Sequence, residues 1–362
     1  DPDVDVIVEV AGGLAVEPAV TAALAAGKPV VTANKALLAR RLAELGVLAQ
    51  RTETPLLCEA AAAAALPIIR HLSHRADEVD SLRAIVNGTC NYIITRLEQD
   101  EWPMDRAIAE AQALGLAEAE PSADLDGHDA AAKLSILAYR AFGAWIPPDA
   151  LPVRGIRELA PADCDLAEAM GFRIRLVAHA ARRPAADGAP GAPAVPGAPA
   201  TRSTLSAAVE PVLLPDWHLL ASVEEEYNAV YLEQASSGDL SLFGKGAGAL
   251  PTATAILGDL IDLAQDNSVQ WPAPHRLAPS APPPRRHYLR VTAEPHPGLP
   301  RRIDSLVRRA GLTVQNRASR GEPHATHHGF LISESNDAAI GDLVAQLRAL
   351  GRVEQTLWLG VL

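Results

Sequence analysis

The sequence predicts an α/β chain in three parts: a short parallel βαβ unit, a mixed α+β region, and a C-terminal βαββαβ unit of ferredoxin-like order. Three observations predict it. Residues 4–59 alternate strand-like and helix-like runs at the spacing of a parallel unit. Residues 60–267 mix long helical periods with β-rich runs. Beyond a proline cluster in residues 268–286, residues 287–362 read strand, helix, strand, strand, helix, strand.

Residues 4–10 (VDVIVEV) form a β-branched run that ends at Gly12-Gly13, a buried strand followed by a turn. A helix is expected over residues 17–26, with Pro18 in its first turn and Gly27 as its stop. Residues 29–32 give a second strand, Asn34-Lys35 opens a helix to about Leu45, and residues 56–59 give a third strand. In the middle region, helices are expected over residues 104–114 and 129–142 and strands over 82–86 and 229–232. Residues 183–202 are rich in Ala, Pro and Gly without periodicity, so a flexible surface insertion is expected there. The linker is followed by strands at 288–291, 312–318, 325–333 and 353–359, with helices at 299–310 and 337–350.

Composition narrows the function. A net charge of -12 supplies no basic footprint for nucleic acid or an anionic membrane. The longest apolar stretch, residues 60–69, is about half the ~20 residues that span a bilayer, and Pro67 interrupts it. Three dispersed cysteines, Cys58, Cys90 and Cys164, suit a reducing compartment. The opening Asp1-Pro2-Asp3 has no secretory n-region or h-region. A cytoplasmic protein is expected, and one whose sequence begins inside a longer chain.

Lysine usage carries the sharpest chemical signal, because Lys28, Lys35, Lys133 and Lys245 are the only lysines among 32 basic residues. Arginine stays charged near neutral pH, whereas a buried lysine can give up and take back a proton. Lys28 in a turn and Lys245 read as ordinary surface residues, which leaves Lys35 and Lys133 as candidates. Residues 118–129 (EAEPSADLDGHD) place five carboxylates in a loop broken by Pro and Gly, and Asp129 and Lys133 share a helix face four residues apart. Dipole compensation at a helix start accounts for Asp126 and less fully for Asp129, but not for Glu118 or Asp124. The spacing lacks the closing Glu of an EF-hand. Residues 244–249 (GKGAGA) satisfy GxGxx(G/A), but they are not placed in a first βαβ unit, so they suit a backbone-approach loop better than a pyrophosphate site.

Taken together these pieces resemble homoserine dehydrogenase. The motifs are Glu9-Val10-Ala11-Gly12-Gly13, VVTANKAL at residues 30–37, NGTCNYI at 87–93, AQALGLAE at 111–118, DLDGHDAAAKL at 124–134, and GAG at 246–248 followed by PTA at 251–253. They run in family order over about residues 1–265. The resemblance implies a partial Rossmann-like nucleotide-binding domain at residues 1–59 and a mixed α+β catalytic and dimerisation domain at 60–267. It implies a C-terminal ferredoxin-like ACT domain at 287–362; from the βαββαβ pattern and the linker, deleting that unit is expected to leave catalysis largely intact. The activity implied is interconversion of L-homoserine and L-aspartate 4-semialdehyde with NAD(P), a step toward threonine, methionine and isoleucine, in a homodimer or homotetramer.

By the same resemblance, Lys133 is the acid/base group, Lys35 lies beside it and near the cofactor, and Asp129 orients lysine and substrate. Glu118 and Asp124 hold the substrate ammonium and Gly88-Thr89 its carboxylate end, while Gly115 and Gly246 let the backbone approach the dinucleotide. A structural monovalent cation, Na+, maps to Glu59, Ala62, Ala64 and Leu66, and threonine is the effector implied for the ACT unit. Three departures stand out: Ala64 and Ala65 replace family glycines, Glu294-Pro295-His296-Pro297-Gly298 replaces the usual ACT Asp-x-Pro-Gly, and the first strand with its GxGxxG turn does not occur. A second reading follows from the last, in which the chain is a catalytically incomplete fragment that keeps the substrate-pocket, dimerisation and ACT functions.

Overall fold

The computed structural model describes residues 3–74, 77–184, 203–268, 270–274 and 278–362. Most of the stretch expected as a flexible insertion, residues 185–202, lies outside them.

The N-terminal unit is β1 (Ile7–Glu9), α1 (Glu17–Ala25), β2 (Val30–Thr32), α2 (Lys35–Arg51) and β3 (Leu56–Leu57). Its three strands pair in parallel in the order β1-β2-β3. Gly27 follows α1 at φ 72°, a left-handed turn that glycine adopts without cost. Asn34 caps α2, its side chain accepting the Leu37 N–H at 3.0 Å. Helix α2 runs six residues past the expected end because Gly46 is a packing position: a Cβ there would stand 3.1 Å from the Cβ of Trp271.

The middle region supplies α3 (Ile68–His74), β4 (Val79–Ile85), α4 (Gly88–Gln99), α5 (Met104–Ala113), α6 (Ser122–Leu125), α7 (His128–Phe142), α8 (Pro161–Glu168), β5 (Phe172–Pro184), β6 (Ser203–Pro215), β7 (Tyr227–Gln234), β8 (Gly238–Lys245) and α9 (Ala249–Ala264). Helix α7 is the central post. From Asp129 to Phe142 nearly every residue is buried, and the helix packs between α2 and the strands β4 and β5. The expected linker is partly core. Trp271 stacks on Tyr139 of α7 at 5.4 Å between ring centroids and donates to the Leu56 carbonyl at 2.9 Å.

The C-terminal unit is β10 (Arg285–Ala293), α10 (Leu299–Arg309), β11 (Val314–Gly321), β12 (Thr326–Ser335), α11 (Asp337–Arg348) and β13 (Val353–Val361), preceded by the two-residue β9 (Ala278–Pro279). Its element order is the expected βαββαβ. The sheet does not stop at the unit's edge. It continues as β11-β12-β10-β13-β6-β5-β4-β7-β8, with β9 also on β6, because β13 pairs in parallel with β6 at Gly360↔Val212 and Val361↔Leu213. A buried ion pair reinforces the join: Asp163 of α8 accepts from Arg290 at 2.8 Å and from Tyr288 at 2.9 Å, both on β10. Removing one partner of such a pair costs about 3–5 kcal/mol. The unit is therefore less separable than the sequence suggested.

Candidate active site

Strand β4 ends at Ile85, and Val86-Asn87 carry the chain into α4. Asn87 is buried and caps α4, its side-chain oxygen accepting the Cys90 N–H at 2.8 Å. Its amide nitrogen points the other way and donates to Asp124 at 2.7 Å and to Asp129 at 3.0 Å. One side chain thus joins the start of α4, the acidic segment α6 and the first turn of α7. In the sequence Asn87 stands out only as part of the NGTCNYI motif; its position, a lone amide between a β-run and a helix start, is the signal that marks it.

On α7 the i, i+4 spacing does what helical geometry requires: Lys133 Nζ lies 2.8 Å from Asp129 Oδ2 and donates to the Val86 carbonyl at 2.6 Å. The opposite oxygen of Asp129 accepts from Lys35, which stands at the start of α2 just beyond β2. Asp129 is buried, and burial alone would raise its pKa; the charges of Lys133 and Lys35, with their hydrogen bonds, outweigh that and hold the carboxyl well below the usual carboxylate range. For Lys35 burial acts to lower the pKa, yet Asp129, Asp124 and Glu118 raise it above the ordinary value. Asp124 is pushed up, chiefly by burial. The cluster therefore contains a firmly ionised carboxylate between two lysines, with a less acidic neighbour.

Glu118 is exposed, and its backbone carbonyl accepts from Gln112 at 3.1 Å. Its carboxylate is near enough to Lys35 to raise that lysine's pKa. Gly88 and Thr89 occupy the first turn of α4, where helix N–H groups have no helical partner. Glycine is required at 88, because a Cβ would stand 2.6 Å from the Glu226 carbonyl oxygen. The Thr89 hydroxyl is committed to the Leu116 carbonyl at 2.6 Å, which brings the turn containing Gly115 against α4. Gly115 itself is left-handed at φ 73°. At Gly246 a Cβ would fall 1.7 Å from Asn228 Nδ2, so packing against Asn228 is a reason for glycine at that position. Lys245 lies 3.8 Å from Glu226, an exposed pair that suits the surface reading.

The residues mapped to a cation are held by different partners. The Glu59 carboxylate accepts the Ile69 and Arg70 N–H groups at 2.8 and 2.7 Å, at the start of α3, and the Glu59 N–H donates to Asp259 of α9 at 3.0 Å. Ala64 adopts φ 43°, the left-handed torsion for which glycine is better suited. Among the described residues no cluster of three or more His, Cys, Asp or Glu side chains has metal-binding geometry.

The N-terminal unit has the polarity of a ligand-binding sheet. Glu9 at the end of β1 accepts the Ala11 and Gly12 N–H groups, each at 2.9 Å, and the Thr32 hydroxyl at 2.6 Å. Gly12 and Gly13 turn at φ 76° and 73°. Ligands of open parallel sheets sit beyond the carboxyl ends of the strands; Lys35, just past the end of β2, links that edge to Asp129.

Comparison with known proteins agrees with this architecture. Residues 1–59 match the family model described as the NAD binding domain of homoserine dehydrogenase, and residues 67–261 match the homoserine dehydrogenase model. The homoserine dehydrogenase of Corynebacterium glutamicum is 37% identical over 323 residues, covering 86% of this chain and 70% of that protein. That of Mycobacterium leprae is 43% identical over 267 residues, covering 73% of this chain and 58% of the relative. The crystal structure of a homoserine dehydrogenase from Thiobacillus denitrificans superposes with a TM-score of 0.85 at 30% identity, covering all of this chain and 83% of that one. Matches to both the nucleotide-binding and the main domain of one enzyme family do not favour a stand-alone binding fragment. By these matches and by its fold, the chain belongs to the homoserine dehydrogenase family.

Proposed function

We propose that the protein interconverts L-homoserine and L-aspartate 4-semialdehyde with NAD(P)(H), with Lys133 as the acid/base group. The observation that carries the reading is the Lys133–Asp129–Lys35 arrangement beside Asn87 and Asp124, in which Asp129 and Lys133 are buried and Lys35 reaches in from the exposed start of α2. An ammonium has three N–H donors. Those of Lys133 toward Asp129 and Val86 fix its direction, and the third serves the substrate oxygen, where the proton is exchanged. Asp129 keeps both lysines oriented. Asp124 and Glu118 attract the substrate ammonium, and the N–H groups of the first turn of α4 at Gly88 and Thr89, which have no partner within the helix, receive its carboxylate.

When bound, the nicotinamide supplies the hydride acceptor or donor. Residues of this chain suited to hold the dinucleotide are Lys35 beyond β2 and the backbone at Gly115 and Gly246. Na+ held by backbone carbonyls of Glu59, Ala62, Ala64 and Leu66 would tie the loop after β3 to α3 and α9. The βαββαβ unit fits an ACT role with threonine as effector. A homodimer or homotetramer is supported by the exposed apolar side chains Phe243, Leu250, Leu257 and Ile261 on β8 and α9. Three buried, unbridged cysteines fit a cytoplasmic location, and among the described residues no helix is long and apolar enough to cross a membrane.

The test is direct: homoserine-dependent reduction of NAD+ or NADP+ by the purified protein, with allo-threonine and serine as controls. Dehydrogenation of serine but not homoserine would overturn the substrate assignment.

A further inference from the structure

Helix α6 is a single turn, Ser122–Leu125, closed by Asp126 and the left-handed Gly127. A helix this short is marginal by itself, since ordering the first turn fixes about six torsions for a single hydrogen bond. Yet it is the element that carries Asp124 to Asn87. Its place is therefore set by the groups that grip it. On the inner side α4 does so: the Cys90 thiol donates to the Asp124 carbonyl at 3.1 Å, and Asn87 donates to the Asp124 carboxylate at 2.7 Å. On the outer side the grip comes from residues 153–157. That segment is anchored on β6, with the Val209 N–H donating to the Pro152 carbonyl at 3.0 Å and the Arg154 N–H to the Val209 carbonyl at 2.8 Å. Gly155 lets it touch α6, because a Cβ there would stand 2.0 Å from the Leu125 carbonyl oxygen. The Ile156 N–H then donates to that carbonyl at 2.8 Å. Arg157 completes the clamp. Its Nε donates to Asp126 at 2.6 Å, and its Nη2 donates to Asp126 at 3.4 Å and to the Ser122 hydroxyl at 2.9 Å. One planar guanidinium thus spans the first residue of α6 and the residue that ends it.

We propose that Arg157 is a positioning residue for the reaction: by holding Ser122 and Asp126 it fixes the turn that presents Asp124 to the homoserine ammonium. Its hydrogen bonds end on the two flanks of α6, so it acts through Asp124 and leaves proton transfer to Lys133. The kinetic constants then divide. Loosening α6 weakens the hold on the ammonium and raises the KM for homoserine, while turnover at saturation and the KM for the cofactor stay near those of the parent. Lysine is a poor substitute, because a single ammonium is a point charge without the fork that reaches the carboxylate and the hydroxyl together. The role in the reaction rests on the homoserine reading; the clamping of α6 does not.

Two measurements on the full chain test this, using Arg157→Gln, Arg157→Lys, Asp126→Asn and the double variant Arg157→Gln with Asp126→Asn. The Arg157 side chain is 47% exposed, so its replacement leaves the core intact. Hydrogen exchange read by mass spectrometry reports the clamp. Amides of residues 122–127 should exchange at least about threefold faster in Arg157→Gln, within what loss of an exposed ion pair allows, while those of α7 keep parent rates. Steady-state kinetics reports the consequence. The KM for homoserine is expected to rise at least about threefold in Arg157→Gln with turnover within about twofold of the parent, and to recover only in part in Arg157→Lys. On the Asp126→Asn background, Arg157→Gln should add less than about twofold, because the two residues act as one pair. Unchanged exchange over residues 122–127 would overturn the clamp. Faster exchange with an unchanged KM, in a protein that oxidises homoserine, would overturn the link to Asp124, and so would effects of the two substitutions that simply multiply. Faster exchange in a protein that does not oxidise homoserine would uphold the clamp and overturn the homoserine reading instead.

Discussion

Lys35 and Asp129 lie 94 positions apart in sequence and form an ion pair in the folded chain. The contact places the first residue of α2 against the first turn of α7, so the nucleotide-binding unit and the Asn87–Asp124–Lys133 cluster share one carboxylate. The other oxygen of that carboxylate holds Lys133. Lys35 and the acid/base candidate are thus positioned by the same group.

Lys133→Met keeps an unbranched stem one atom shorter and removes the ammonium. Turnover should fall by about 100-fold or more, the scale of a lost general acid/base, with a smaller change in homoserine binding. Steady-state kinetics decides it. Turnover within about threefold of the parent would return Lys133 to a structural role.

Asn87→Asp separates capping from charge placement. The substituted carboxylate still caps the Cys90 N–H, but its second oxygen faces Asp124 and Asp129 where an amide donor stood. The KM for homoserine should rise about tenfold or more, equivalent to about 1.4 kcal/mol, while Tm falls little relative to Asn87→Ala, which loses the cap.

Glu118→Gln removes a charge from an exposed side chain with little change in shape. The expected result is a raised KM for homoserine and an unchanged KM for the cofactor. A cofactor effect in its place would move Glu118 to the dinucleotide side.

Stability should depend on Glu210 in acid. Burial acts to raise its pKa, but hydrogen bonds and charge from His179 and Arg285 win, and the carboxyl is held well below its usual range. A carboxyl with a depressed folded-state pKa stabilises the fold above its unfolded value of about 4.3, and that contribution is lost as pH falls below it. Thermal melts should show the wild type losing more Tm between about pH 5 and 3 than Glu210→Gln does. At pH 7 the variant should be less stable by about 1–3 kcal/mol, because Arg285 and Arg154 lose the carboxylate they hold at 2.7 and 2.5 Å while Arg285 keeps Asp337 at 3.2 Å. Parallel acid profiles for the two proteins would refute the assignment.

What the sequence determined by itself was set by short-range rules. The 3.6-residue and two-residue periods, the caps and the glycine stops defined the strands and helices of the N-terminal unit and the βαββαβ order, because each depends on neighbours within a few positions. The scarcity of lysine pointed to Lys133 and Lys35, and the carboxylate-rich segment to Glu118 and Asp124, before any fold was known; Asp129 entered through the family resemblance. Tertiary structure decided what packing decides. Gly46 continues α2 because Trp271 covers it, and Trp271 leaves the expected linker for the core because Tyr139 offers a stacking face. Asn87 became the junction of the site only when β4, α6 and α7 converged on it. The C-terminal unit was joined to the main sheet by backbone pairing of β13 with β6, and backbone N–H and C=O groups are alike at every residue, so no local pattern marks which edges will meet.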